Sequence, residues 1–97
     1  MIKVYVSKDR IELHGHSGYD IVGKDIVCSA VSSIVTTTIN GIISIDKKAI
    51  SYKYQDDTMT IRIIKNDEIT VKLINNMLDL LISLSKDYPK NIIVKEM

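Results

Sequence analysis

The sequence predicts an α+β fold in which five strands and two helices follow in the order ββαββαβ. Two observations support this prediction. Several short segments alternate apolar and polar residues, as a half-buried strand does, and two longer segments repeat apolar residues every three or four positions, as an amphipathic helix does. Two such helices most simply pack on one face of a mainly antiparallel sheet. With 97 residues, the chain suits one domain, which we expect to span residues 1–97.

A hairpin is expected at the start of the chain. Residues 2–6 (IKVYV) and 10–16 (RIELHGH) both alternate between apolar and polar side chains. The residues between them, SKD, are typical of a turn, so the two segments are expected to pair as antiparallel strands. The second of these strands is expected to end near Gly15 and His16.

The first helix is predicted against the local preferences of its residues. The segment after Asp25 is rich in valine, isoleucine and threonine, which favour strands. However, its apolar residues recur every fourth position from Val27 to Ile43, and serine, threonine and asparagine fill the gaps. This period indicates an amphipathic helix. Asp25 is the expected N-cap, and the helix is expected to end near Ser44.

The second half of the chain repeats the pattern of two strands and a helix. Residues 49–54 (AISYKY) and 58–65 (TMTIRIIK) alternate as strands do and are separated by a short polar turn. The acidic residues of NDEI, at 66–69, suit the positive end of a second helix. Pro89 is expected to stop that helix, and residues 91–97 (NIIVKEM) form the last short strand.

The composition excludes several classes of function. The 13 basic and 12 acidic residues give a net charge of +1 and are scattered along the chain, whereas a nucleic-acid-binding protein usually carries a basic stripe. The start of the chain lacks the apolar core of a signal peptide, and no uncharged apolar run is expected to approach the roughly 20 residues that span a bilayer. A single cysteine cannot form an internal disulfide. We therefore expect a cytoplasmic protein that has a reduced thiol and binds neither a membrane nor nucleic acid directly.

One stretch, residues 14–33, concentrates the reactive side chains. It contains both histidines, the only cysteine and three of the four glycines of the chain. His16 is expected at the end of the second strand and Cys28 in the first turn of the first helix, so the loop that joins them can bring the two together. The start of a helix favours a thiolate, and a neighbouring histidine can act as its base. The pattern predicts a nucleophilic cysteine for acyl transfer.

The first turns of the predicted helix have a face suited to a substrate. Asp25, Cys28 and Ser32 are spaced at i, i+3 and i+7 and therefore share one side of the helix. Their side chains are small and polar beside the bulky valine and isoleucine stripes. This face is expected to leave room for the backbone of a substrate.

The glycines around His16 have a related expected role. Gly15 allows another chain to approach closely beside His16, because glycine has no Cβ. Gly18 and Gly23 lie in the loop between His16 and the helix, which we expect to act as a hinged lid.

Other interpretations stay open from the residues alone. A single cysteine in an apolar helix is often an inert core residue. His14, His16 and Cys28, together with Asp20 or Asp25, could instead bind zinc, although structural zinc sites usually contain more cysteines. We therefore expect no metal, and we expect His14 to be a surface residue.

Residues 15–32, GHSGYDIVGKDIVCSAVS, resemble the signature of the ribosomal-processing cysteine proteases, the Prp family. That signature has Gly-His, a glycine-bearing loop, and then Asp-Ile-Val-Cys followed by small residues and a serine. The chain matches each of these parts and departs at Ser29, where alanine is common. The order ββαββαβ and the length of the chain also fit the family.

The resemblance implies roles for four residues. His16 would be the base and Cys28 the nucleophile. Asp25 and Ser32 match supporting positions, the first as a cap or orienting group and the second as a hydroxyl in the wall of the site. No third catalytic residue is evident from the sequence, so the resemblance implies a Cys–His dyad that forms a thioester intermediate.

The resemblance also implies a substrate. Family members are cytoplasmic endopeptidases that remove a short N-terminal extension from bacterial large-subunit ribosomal protein twenty-seven. The ribosome needs this removal for its assembly. Family members use no cofactor and tend to form homodimers. The alternative is a non-enzymatic module, either a ribosome-associated binding protein or a thiol sensor, in which the cysteine performs no hydrolysis.

Overall fold

The computed structural model describes residues 1–15 and 26–97. In this part of the chain the order ββαββαβ is confirmed. The elements are β1 (Ile2–Val6), β2 (Arg10–His14), α1 (Ile26–Ile45), β3 (Ile50–Gln55), β4 (Thr58–Ile63), α2 (Glu68–Asp87) and β5 (Ile92–Glu96).

The five strands form one sheet in the order β3-β4-β2-β1-β5. Among the described strands, the β1–β2, β2–β4 and β3–β4 pairs are antiparallel and the β1–β5 pair is parallel. The prediction of a mainly antiparallel sheet is therefore confirmed. The parallel pair arises because β5 follows α2, which crosses over the sheet and returns the chain beside β1.

Both helices pack on the same face of the sheet. Val4, Ile11 and Ile61 lie on neighbouring strands and are fully buried beneath the helices. From α2, Met77 and Leu81 are equally inaccessible to solvent. The side chains that α1 buries are Val27, Val31, Val35, Ile39 and Ile42. Burial of each such side chain contributes about 1.5–3 kcal/mol, so this single core carries the fold.

The ends of the helices follow the sequence closely. α1 begins at Ile26 and ends at Ile45, one residue beyond the predicted end; its predicted cap, Asp25, lies outside the described residues. Asp67 caps α2, and its Oδ1 accepts a hydrogen bond of 2.8 Å from the backbone N–H of Thr70. This hydrogen bond lowers the pKa of the Asp67 carboxyl below its ordinary value, because it stabilises the charged form.

One expectation from the sequence is wrong, namely that no uncharged apolar run approaches the roughly 20 residues that span a bilayer. Helix α1 is a run of 20 residues without a charge, so by length and composition alone it could cross a membrane. A core helix of a folded domain passes the same test. α1 has the amphipathic pattern of such a helix, because its buried residues form one stripe against the sheet and α2, and serine and threonine side chains lie on the exposed side.

Candidate active site

Cys28 is the third residue of α1 and lies half-buried at the edge of the core. The helical repeat places Ser32 and Thr36 on the same side, four and eight residues further along. All three residues line an open groove of about 190 Å³. The predicted face of small polar side chains is therefore present for Cys28 and Ser32, and Thr36 extends it by one turn.

The sheet supplies the opposite wall of this groove. Leu13 and Gly15 contribute from the end of β2, and the β3–β4 hairpin contributes Tyr54, Asp57 and Met59. The wall is mostly apolar. Among the described residues that line the groove, Asp57 alone carries a charge.

Gly15 ends β2 in a conformation that favours glycine. Its φ is +74°, in the left-handed region, and its N–H donates a 3.0 Å hydrogen bond to the carbonyl of Asp57. A Cβ at this position would lie 3.2 Å from the carbonyl oxygen of Met1. Among the described residues, the backbone of Met1 thus lies close to Gly15, and the approach of a substrate chain beside His16 stays a prediction.

The β3–β4 hairpin has a tight two-residue turn. Asp56 and Asp57 have φ values of 53° and 60°, as in a type I′ turn, whose twist matches that of the flanking strands. The turn sets Tyr54 directly opposite Met59, with both on the side of the sheet that faces α1.

Sequence reasoning missed these residues of the hairpin as part of the site. The available signal was a short polar turn between two alternating segments, which indicates that the two strands pair as a hairpin. That signal fixes the hairpin, but it does not show which other elements the hairpin faces.

His14 lies on the outer face of the sheet, as expected for a surface residue. Its Nε2 is 2.9 Å from Oε1 of Glu12, and its Nδ1 is 3.2 Å from Oγ1 of Thr58. The ring also meets that of Tyr5 edge-on, with 5.3 Å between the centroids. Cys28 packs on the other face of the sheet. The zinc hypothesis is therefore disfavoured, because it requires His14 and Cys28 to bind one ion.

The structure brings together three of the residues that the sequence singled out, namely Cys28, Ser32 and Gly15. Because Gly15 and Cys28 line the same groove, the end of β2 and the start of α1 both lie at this site. The remaining predicted residues fall outside the described part of the chain: His16, Gly18, Asp20, Gly23 and Asp25.

The model of one protein family, described as cysteine protease Prp, matches residues 1–93. The chain belongs to this family. It is accordingly a cysteine protease, and the expectation from the resemblance is confirmed at this level. The family assignment also favours an enzyme over a non-enzymatic binding or sensing module.

Solved structures of Prp proteins share the fold. The essential ribosomal processing protease Prp from S. aureus, in complex with a covalently linked product peptide, is similar with a TM-score of 0.85 and 22% identity over 99% of this chain and 97% of that one. The same S. aureus protease with a substrate peptide gives a TM-score of 0.83 at 21% identity, with the same coverage of both chains.

A third solved structure is more similar in sequence. SMU.848 from Streptococcus mutans has 27% identity and a TM-score of 0.83, over 99% of this chain and 91% of that one. No curated protein sequence matches the chain. The similarity over nearly the whole of each solved chain shows that all seven elements belong to the common fold.

Proposed function

We propose that the chain is a ribosomal processing protease that removes the N-terminal extension of large-subunit ribosomal protein twenty-seven. The observation that carries this proposal is the position of Cys28, in the first turn of α1 and on the wall of an open groove, in a chain of a cysteine protease family. The S. aureus structures, which hold a substrate peptide and a covalently linked product peptide, support a peptide as the ligand of such a groove.

In the proposed reaction, Cys28 is the nucleophile and His16 the base. The Sγ thiolate attacks the scissile carbonyl carbon, and the backbone N–H groups at the start of α1 stabilise the resulting oxyanion. The C–N bond then breaks, a thioester forms on Cys28, and His16 gives its proton to the leaving amine. Water, deprotonated by His16, hydrolyses the thioester and restores the thiol.

The groove suits an extended peptide. Ser32 and Thr36 are small, so a peptide backbone can lie close to α1, and their hydroxyls can form hydrogen bonds with it. Tyr54 and Met59 on the opposite wall offer apolar contacts to a side chain. The polar and apolar walls together fix the orientation of the bound chain.

The remaining predicted residues have supporting roles in this proposal. Asp25 caps α1 or orients His16, and Ser32 supplies a hydroxyl in the wall of the site. Gly18 and Gly23 allow the loop between His16 and the helix to close over the bound peptide. We further propose that the protein acts as a single domain and a homodimer in the cytoplasm, and that the dyad requires no cofactor, metal, membrane or nucleic acid.

A paired comparison of the two histidines tests the dyad. We expect His16→Ala to reduce kcat/KM for a synthetic extension peptide by about a hundredfold or more, as loss of a general base does. The matched control, His14→Ala, removes a side chain that contacts Glu12 and Thr58 on the outer face, and it should have a much smaller effect. Equal losses in the two variants, together with inactivation by a chelator, would support the zinc hypothesis instead.

A further inference from the structure

The edge strand β3 has polar backbone groups that no strand of the described chain pairs. The sheet ends at β3, and within residues 1–15 and 26–97 only β4 lies beside it. In a hairpin with a two-residue turn, the pair that flanks the turn, here Gln55 and Thr58, is hydrogen-bonded, and such pairs alternate along the strands. The N–H and C=O groups of Tyr52 and Tyr54 therefore point away from β4, toward the free edge.

Apart from one lysine, this edge strand lacks the features that usually prevent further pairing. Edge strands are commonly protected by proline, by bulges or by charged side chains, lysine in particular. β3 has six residues without proline or glycine, and its one charged side chain, Lys53, lies on the outer face of the sheet. The opposite edge strand, β5, is shorter and ends in Lys95 and Glu96.

The same edge is continuous with the groove that contains Cys28. Tyr54 lines that groove, although 67% of its surface is exposed to solvent. Tyr52 follows on the same side of β3 and is 53% exposed. Both rings are therefore largely accessible to solvent at this edge of the sheet. A chain that lies along β3 would pass directly from these tyrosines to the wall of the groove.

We propose that the substrate peptide adds to the free edge of β3 as a sixth strand and exchanges backbone hydrogen bonds with Tyr52 and Tyr54. This inference rests on the proposed function. The occupant is an extended peptide, because only an extended backbone presents N–H and C=O groups at the spacing of a strand. Strand addition recognises the backbone, so it can hold a flexible terminal segment in register whatever its sequence, while the apolar walls select side chains near the scissile bond.

The hydrogen-bonding pattern of an added strand provides the test. In a paired strand, every second N–H of the peptide points to β3 and the others point away. Single N-methylation along a synthetic extension peptide, at positions that do not flank the scissile bond, should therefore lower kcat/KM with a period of two. We expect a loss of about tenfold at each position that faces β3, where a hydrogen bond is removed and a methyl group intrudes, and little change at the positions between them.

A pair of protein variants tests the same contact from the other side. Tyr52→Pro removes an N–H that points away from β4, so the β3–β4 pairing is retained, and Tyr52→Ala is the matched control that loses the ring but keeps the N–H. We expect Tyr52→Pro to raise KM several-fold above that of Tyr52→Ala, with alkylation of Cys28 by iodoacetamide unchanged in both. If the proline variant does not fold, the peptide scan decides alone.

The outcomes separate this inference from the proposed function. Failure to cut the unmodified peptide would contradict the proposed function. Strand addition would then be tested by measuring the affinity of each N-methylated peptide for the Cys28→Ala protein. Normal cleavage or binding with no alternation along the scan would overturn strand addition and leave the protease assignment in place.

Discussion

The two helices have the same length and pack on the same face of the sheet, yet they are built differently. α2 has the features that stabilise a helix in isolation: the Asp67 cap, an acidic residue in its first turn, Lys86 in its last turn and an ion pair of 3.2 Å between Glu68 and Lys72. α1 has no charged residue at all. It depends on burial of its apolar stripe for its stability.

The difference reflects which helix serves the groove. A further carboxylate within the first turn of α1, in addition to the proposed cap Asp25, would disfavour a thiolate or an oxyanion at the helix end, because like charges repel there. Long charged side chains on its exposed side would occupy the space beside Ser32 and Thr36. α2 has no such constraint, so it carries charged side chains along its length, whereas α1 presents an uncharged face to the groove.

A core substitution in α2 should give the largest effect, and that effect should be on stability alone. Met77 is fully buried, so Met77→Ala should reduce the free energy of unfolding by about 2–5 kcal/mol, through lost burial and the cavity that remains. Urea unfolding measures the change. The turnover of the folded fraction should be unaltered; a fall in turnover per folded molecule would contradict the assignment of α2 to the scaffold.

Substitution of an exposed residue on α1 should instead lower activity and leave stability nearly unchanged. Ser32 is exposed and lines the groove, so Ser32→Leu should leave the melting temperature near that of the native protein but lower kcat/KM for the extension peptide by about tenfold or more, because the larger side chain fills space that the peptide needs. Asn76→Leu on the exposed side of α2 is the matched control. Equal activity in the two variants would show that the groove beside Ser32 does not bind substrate.

Removal of the charge from the cap of α2 should have the smallest effect of the three substitutions. This effect is on the melting temperature, and it should depend on pH. Asp67→Asn keeps an oxygen acceptor for the Thr70 N–H and removes the charge. Because the pKa of Asp67 is lowered in the folded protein, its carboxylate stabilises the fold above the ordinary pKa of 3.8, and this stabilisation is lost as the pH falls through the folded value. Melting temperatures should therefore differ by a few degrees near neutral pH and converge in acid. A difference that persists at low pH would contradict this origin.

The sequence could predict those parts of the site that depend on local repeats. Apolar residues recur at every fourth position of α1 and thereby predict which side of the helix is buried. The same spacing places Cys28 and Ser32 together on the side that faces the groove. In the same way, alternation in the first hairpin indicates that His14 faces away from Leu13 and therefore away from the core. Both results follow from the geometry of a single element or of adjacent elements.

The opposite wall of the groove could not be predicted, because it depends on pairing between distant strands. The β2–β4 pair sets Leu13 beside Met59 and thereby brings the hairpin with Tyr54 and Asp57 to the site. The alternation within each strand is compatible with many strand orders, so it does not reveal this one. The close contact between Gly15 and Met1 depends on tertiary structure in the same way.

The central claim, that Cys28 is the nucleophile of a peptidase, has a direct test in the acyl-enzyme. The protein would be mixed with a synthetic extension peptide, quenched in acid at early times and measured by intact-mass spectrometry. We expect a mass increase equal to the N-terminal cleavage fragment minus water, located on the peptide that contains Cys28, and neither adduct nor cleavage with the Cys28→Ala protein. Cleavage that persists in Cys28→Ala would contradict the claim.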